Sequence, residues 1–222
     1  MSSKEEQLQE LQQIRNIMER SSKFISLSGL SGIAAGFCAL LGAAVAYYYI
    51  NPSFEFPTTE TYYELAQRST KFGLSYHTFL LLDGFCTAVL ATFFAVFYTH
   101  RKAKTQGLSL NNPASRRLMF HISVPLFIGG VFSLAMLYHG SLAYIAPCTL
   151  LFYGLALMSG SKYTLHDVQY LGIGMLLLGC VGLFWLRHGF EFWVLGFGFF
   201  HIIYGVMMYR KYDKNTSQNG SQ

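Results

Sequence analysis

The sequence predicts an all-α bundle of six membrane-spanning helices, and three observations carry that prediction. Hydrophobic residues make up 52% of the 222-residue chain and charged residues only 12%, about half the roughly 25% of an ordinary soluble domain. A soluble protein of this length has no single core large enough to hide so much apolar surface. The apolar residues fall into six runs of about the 20 residues that cross a bilayer, and 13 of the 16 lysines and arginines fall on one side of those runs. The mean hydropathy of +0.33 agrees. Disorder, coiled coil and nucleic-acid binding are excluded, because the net charge of +5 is placed where membrane topology needs it.

The elements follow in order. Residues 1–23 are polar at first, and Leu8, Leu11, Ile14 and Met18 recur at helical spacing among Glu5, Glu6, Glu10, Gln12 and Glu19. That pattern predicts an amphipathic cytoplasmic helix over 4–20, a collar on the bundle or a dock for a cytoplasmic protein. The six spans are 24–50, 74–98, 118–138, 142–160, 168–186 and 192–209, so the transmembrane domain is 24–209. Asn51-Pro52 ends the first span, and His139-Gly140-Ser141 turns tightly between the third and fourth. The outer connection carries Pro57-Thr58-Thr59 and then Glu60 to Arg68, read as a short capped helix lying over the bundle. Residues 210–222 form a polar tail expected to be disordered.

Orientation follows from the basic residues. Lys4, Arg15, Arg20, Lys23, Arg101, Lys102, Lys104, Arg116, Arg117, Lys162, Arg210, Lys211 and Lys214 share one side, against Arg68, Lys71 and Arg187 on the other. Positive charge stays cytoplasmic, so both termini are expected inside. Tyr47 to Tyr49, Tyr62, Tyr63, Tyr76, Tyr138, Trp185 and Trp193 cluster near the outer boundary, as an interfacial aromatic belt does. Cys38, Cys86, Cys148 and Cys180 all lie inside spans without paired spacing, so neither a disulfide framework nor a zinc site is indicated.

Ionisable groups at depth are costly and therefore mark candidate sites. Asp83 is the only acid within a predicted span. It stands about 10 residues, or roughly 15 Å, from the outer end of its helix. Tyr76, Cys86 and Thr87 share its stripe. His201 lies at similar depth in the sixth span, with Tyr204 one turn on and Gly198 and Gly205 beside it. The reading is an Asp83–His201 pair at the midplane, with Tyr204, Thr87 and Tyr76 lining a ligand or proton pathway. A structural hydrogen bond between the second and sixth helices is the plainer alternative.

The other histidines sort by depth. His77, His139 and His188 lie toward the outer boundary, and His100, His121 and His166 toward the inner. His77 and His139 are candidate cofactor or metal ligands, as axial haem ligands from facing helices or in a quinone redox protein, although no cofactor is required by the pattern. Lys23, Arg116 and Arg117 are candidates for anionic headgroups of the lipid bilayer. Gly29-Leu30-Ser31-Gly32 resembles the Gly-x-Ser-Gly signature of rhomboid intramembrane proteases, but it stands in the opening helix, where that family does not place its serine. With Gly36 following, helix packing accounts for these small residues. No catalytic constellation emerges, and the chain reads as a non-enzyme. Pro125 and Pro147, with Gly129-Gly130, are expected to interrupt the third and fourth spans and open an internal cavity.

The run from Ile17 through Met18-Glu19-Arg20-Ser21-Ser22-Lys23-Phe24 to Gly32 resembles a family of small, uncharacterised bacterial six-helix membrane proteins. The resemblance implies a bacterial inner-membrane location and carries no activity or site residues. The functional expectation therefore stays with the residues: small-molecule or ion transport or binding at the midplane, or else a scaffold or sensor docking a partner through its N-terminal helix. A homo-oligomer is compatible with either.

Overall fold

The computed structural model describes residues 28–50, 73–107 and 112–213. The predicted collar helix with Lys23, the outer-loop helix and most of the tail lie outside the described residues. Everything described is helix or connection, and no strand occurs among the described residues. The helices are α1 (Gly29–Ile50), α2 (Tyr76–Thr105), α3 (Pro113–Tyr138), α4 (Ile145–Gly160), α5 (Val168–Phe184) and α6 (Leu186–Asp213). Single 3-10 turns, Leu142–Tyr144 and Ser161–Tyr163, extend α4 at both ends. Among the described residues five helices are long and apolar enough to cross a membrane, and α5, with 17 residues, is a shorter apolar helix. This is a helical bundle of the membrane-spanning kind.

Four helix boundaries extend beyond the sequence expectation. The basic stretch after Tyr98 is not a loop: α2 continues through it to Thr105, with Lys102 and Lys104 in its last turn. Cations there interact favourably with the helix dipole. α3 starts at Pro113 rather than 118, because Asn112 caps it, accepting from the Ser115 amide at 2.7 Å, and proline fits the first helical position. α6 likewise extends beyond 192–209 at both ends. The expected interruption at Pro147 is corrected as well. Pro147 falls in the first turn of α4, where no intrahelical partner awaits its missing N–H. Pro125 lies inside α3, which runs on past it to Tyr138.

The helices pack in the order α2, α1, α6, then the pair α4 and α5, with α3 along the outside of α4. α1 is the spacer, and its glycines explain both contacts. Gly42 meets the Thr87 side chain of α2, whereas Gly29, Gly32 and Gly36 meet α6 at Tyr209, Gly205 and Ile202. The glycine stripe that begins in Gly29-Leu30-Ser31-Gly32 is thus a helix seam, and the Ser31 hydroxyl donates to the Ser28 carbonyl at 2.5 Å. At one end of the bundle Tyr49, Ile50, Tyr76 and Leu142 form a small core joining α1, α2 and α4. The largest core lies between α4, α5 and α6, around Leu150, Leu157, Leu171 and Met175.

The opposite end carries the charge. Arg101, Lys102, Lys104, Arg116, Arg117, Lys162, Arg210 and Lys211 all lie there, while Arg187 is the one basic residue at the other end among the described residues. At this basic face the end of α6 ties its neighbours down. Asp213 accepts from the Gly29 amide at 3.0 Å and the Ser28 hydroxyl at 3.2 Å, and pairs with Lys102 of α2 at 2.6 Å. Asp167, just before α5, receives Lys211 at 2.8 Å and the Tyr212 hydroxyl at 2.8 Å.

Burial works to raise the Asp167 carboxyl, but the hydrogen bonds from Lys211 and Tyr212 outweigh it and hold the group below the ordinary carboxylate value. A depressed folded-state pKa means a contribution present in full above the unfolded value of about 4, lost as pH falls through the folded value. Lys211 is 59% exposed, so the contribution stays below about 1 kcal/mol. Thermal melts of wild type and Asp167→Asn are therefore expected to differ by a degree or two at neutral pH and to converge in acid. A difference that persists unchanged to pH 2 contradicts this assignment.

Candidate polar site between helices four, five and six

His201 opens an α-helical segment of α6, His201–Met208, directly after a π-helical stretch, Val194–Phe200. Such stretches are rare and have a wider turn than the α-helix. Here the wide turn carries the Gly196 carbonyl to the imidazole, 3.1 Å from Nδ1. A carbonyl only accepts, so Nδ1 carries the proton. In the neutral ring Nε2 is then an acceptor, and the Tyr153 hydroxyl of α4 donates to it at 2.8 Å. The ring is 5% exposed. Phe197 stacks on it with centroids 5.9 Å apart and also packs on Tyr153 at 5.1 Å, and Trp193 packs on Phe197 at 5.0 Å.

One turn toward the basic face stands Tyr204, packed against the core of α4 and α5. Its hydroxyl oxygen is buried and has no hydrogen-bond partner among the described residues. The arrangement is an imidazole hydrogen-bonded to one phenol within an apolar core, a second phenol one turn along α6, and a separate cluster of Asp167, Lys211 and Tyr212 at the basic surface.

The expected Asp83–His201 pair is corrected by this geometry. α1 stands between α2 and α6, and the imidazole turns to α4, where its two nitrogens find Tyr153 and Gly196. Gly198 and Gly205 do allow close helix approach, but to Leu40, Ile33 and Gly29 of α1, on a different side of α6 from the imidazole. Asp83 is half-buried on the stripe of α2 that faces α1. Tyr76 and Thr87 are buried on that same stripe, whereas Cys86 is exposed. The predicted α2 stripe and the His201 site are therefore separate.

His77 and His139 are both exposed, and each ring's aromatic neighbour is the adjacent tyrosine, Tyr76 or Tyr138. Among the described residues no group of three or more His, Cys, Asp or Glu side chains converges as a metal site would. Arg116 and Arg117 are exposed at the start of α3. Tyr153, Tyr212 and Asp167 were missed by sequence reasoning. A tyrosine inside a span and an acid at a span boundary look like belt and anchor residues, and only the helix packing joins them to His201.

Replacing Tyr153 by phenylalanine removes the donor to Nε2 and leaves a buried acceptor unpaired. The expected cost is about 1 kcal/mol, typical of interhelical hydrogen bonds in membranes. A lowered thermal midpoint in detergent checks it, and an unchanged or raised midpoint contradicts the bond.

Comparison with protein-family models, with curated proteins and with solved structures finds no match to this chain.

Proposed function

We propose that this chain is a bacterial inner-membrane protein, with its basic face and both termini in the cytoplasm, that binds or passes a small molecule or ion at the polar site of α4, α5 and α6. The observation that supports the reading best is the Tyr204 hydroxyl. It is buried, belongs to the residue one helical turn from His201, which is hydrogen-bonded to Tyr153, and has no partner among the described residues. Burying a phenol without a partner is costly, more so in a membrane-embedded bundle where lipid supplies none. A polar group held at that cost is a functional candidate. His201 and Tyr204 are the residues that carry the reading, and Tyr153 orients the imidazole. Asp83 is a second, separate polar position, and the proposal gives it no part at His201.

Native mass spectrometry of the protein released gently from detergent tests the proposal. The expected spectrum contains a bound small mass that is lost in His201→Ala and Tyr204→Phe and retained in Asp83→Asn. A mass that follows Asp83 instead moves the site to α2. A bare protein, or one carrying phospholipid only, together with no uptake of candidate ions by proteoliposomes, overturns it.

A further inference from the structure

The basic face holds more cations than its own carboxylates neutralise. Among the described residues Asp167 and Asp213 are the acids at that face, and both are taken, by Lys211 and Lys102. Arg101, Lys104, Arg116, Arg117, Lys162 and Arg210 are exposed and have no ion pair among the described residues. At one corner two packed elements bring such cations together: the first turns of α3 and the 3-10 turn Ser161–Tyr163 that ends α4. The seam between them is tight. A Cβ at Gly160 would run into Ile122 and Leu118, and Tyr163 packs on Ala114 and Leu118. The His121 ring stacks on Tyr163 with centroids 4.5 Å apart. Arg117 stands one turn before His121 on the same side of α3, and Lys162 precedes Tyr163. Arg116, one residue earlier, points about 100° away around the helix.

We infer that this corner binds one anionic phospholipid, its headgroup phosphate held by Arg117, Lys162 and His121 and an acyl chain lying along α3. The charge argues for an anion, because three of these side chains' neighbours are apolar or aromatic and no acid competes for the cations. The guanidinium fork matches two phosphate oxygens, and the ammonium adds a point charge. A neutral imidazole has one N–H to donate whichever nitrogen carries it, and the stack on Tyr163 holds the ring in place. The surface beyond argues that the anion carries a chain. Val124 and Ile128 follow Arg117 at i+7 and i+11, within about 20° of its direction around the helix, and are 42% and 51% exposed. A phospholipid has the same order, a charge at the boundary and an apolar row beneath it. The inference draws on no residue of the His201 site.

The test titrates the delipidated full chain in detergent with palmitoyl-oleoyl phosphatidylglycerol, and separately with phosphatidylcholine of the same chains, and counts bound lipids by native mass spectrometry. The first phosphatidylglycerol is expected to bind about fivefold or more tighter than the first phosphatidylcholine. Arg117→Gln and Lys162→Gln are each expected to weaken it about fivefold, as loss of one cation at a lipid headgroup does. Arg116→Gln removes the same charge from the neighbouring residue and is expected to change it less than about twofold. Equal losses in Arg116→Gln and Arg117→Gln mean a diffuse surface charge and overturn the proposal. Equal binding of the two lipids overturns it too. Absence of any phosphatidylglycerol adduct leaves the cations to an acidic protein segment, which also refutes it.

A second measurement separates a lipid from a free anion and does not depend on adducts surviving in the gas phase. A ligand that binds the folded chain raises its thermal midpoint. Phosphatidylglycerol is expected to raise the midpoint of wild type and of Arg116→Gln, and to leave that of Arg117→Gln with Lys162→Gln nearly unmoved. Glycerol phosphate, the same headgroup without chains, is expected to move none of them at equal concentration. A midpoint raised as much by glycerol phosphate as by the lipid assigns the corner to a soluble anion and overturns the proposal. The mass bound at His201 follows His201→Ala and Tyr204→Phe, whereas the lipid follows Arg117→Gln, so either reading can fail alone.

Discussion

Gly205→Ala is expected to abolish most of the folded protein, while Gly84→Ala, the same substitution on α2, is expected to be harmless or mildly stabilising. A Cβ at Gly205 would stand 2.8 Å from the Gly29 carbonyl oxygen and against the Ile33 amide nitrogen, both of them backbone atoms of α1. Backbone does not swing aside as a side chain does, so α1 and α6 must separate along the seam. Overpacking of this kind costs about 1–3 kcal/mol where side chains relax, and the upper end or beyond is expected where they cannot. At Gly84 nothing lies within 4 Å of the added atom. Alanine there gains up to about 1 kcal/mol of helix propensity over glycine. Fluorescence-detected size exclusion and thermal melts of the pair check both signs. A Gly205→Ala chain as stable as Gly84→Ala would show that the seam is looser than its geometry.

That contrast also shows what was legible in the sequence. Length and hydropathy are local properties, so the helices were recoverable in order, and the Gly32-x-x-x-Gly36 spacing announced a seam on α1. Its partner was not announced. Gly198, His201 and Gly205 share a stretch of α6, and sequence alone places them together. In the bundle the glycines face α1 and the imidazole faces α4. The π-helical turn before His201 accounts for part of this, because a wider turn shifts the angular register that a regular helix would impose. No residue between Val194 and Phe200 signals that turn. Depth placed Asp83 and His201 at the same level, but depth is one coordinate of three, and α1 stands between their helices. Helix ends were misplaced where charge was read as loop: Lys102 and Lys104 belong to the last turn of α2, and Pro113 to the first of α3.

Lys102 shows what that misplacement conceals, since it stands on a helix and so reaches a fixed partner. Asp213→Ala is expected to destabilise the bundle by about 3 kcal/mol, because removing one member of a buried ion pair strands the other. Lys102 and Asp213 are each only 12% exposed and meet at 2.6 Å. The carboxylate also holds the first amide of α1 and the Ser28 hydroxyl, a position where a negative charge complements the helix N-terminus. The three bonds are not equal in consequence. Ser28→Ala removes one neutral donor and is expected to cost about 1 kcal/mol or less. Lys102→Ala leaves the carboxylate its two remaining donors and is expected to cost less than Asp213→Ala. Lys102→Met with Asp213→Leu leaves no stranded charge, and recovery of about half or more of the Asp213→Ala loss is expected, as when apolar residues replace a buried pair. Chemical denaturation in mixed micelles orders the four chains. If the double variant is no more stable than Asp213→Ala, the α1 cap rather than the ion pair is the dominant restraint on the end of α6. If all four chains equal wild type, the clasp contributes nothing and the glycine seam alone holds α1 to α6.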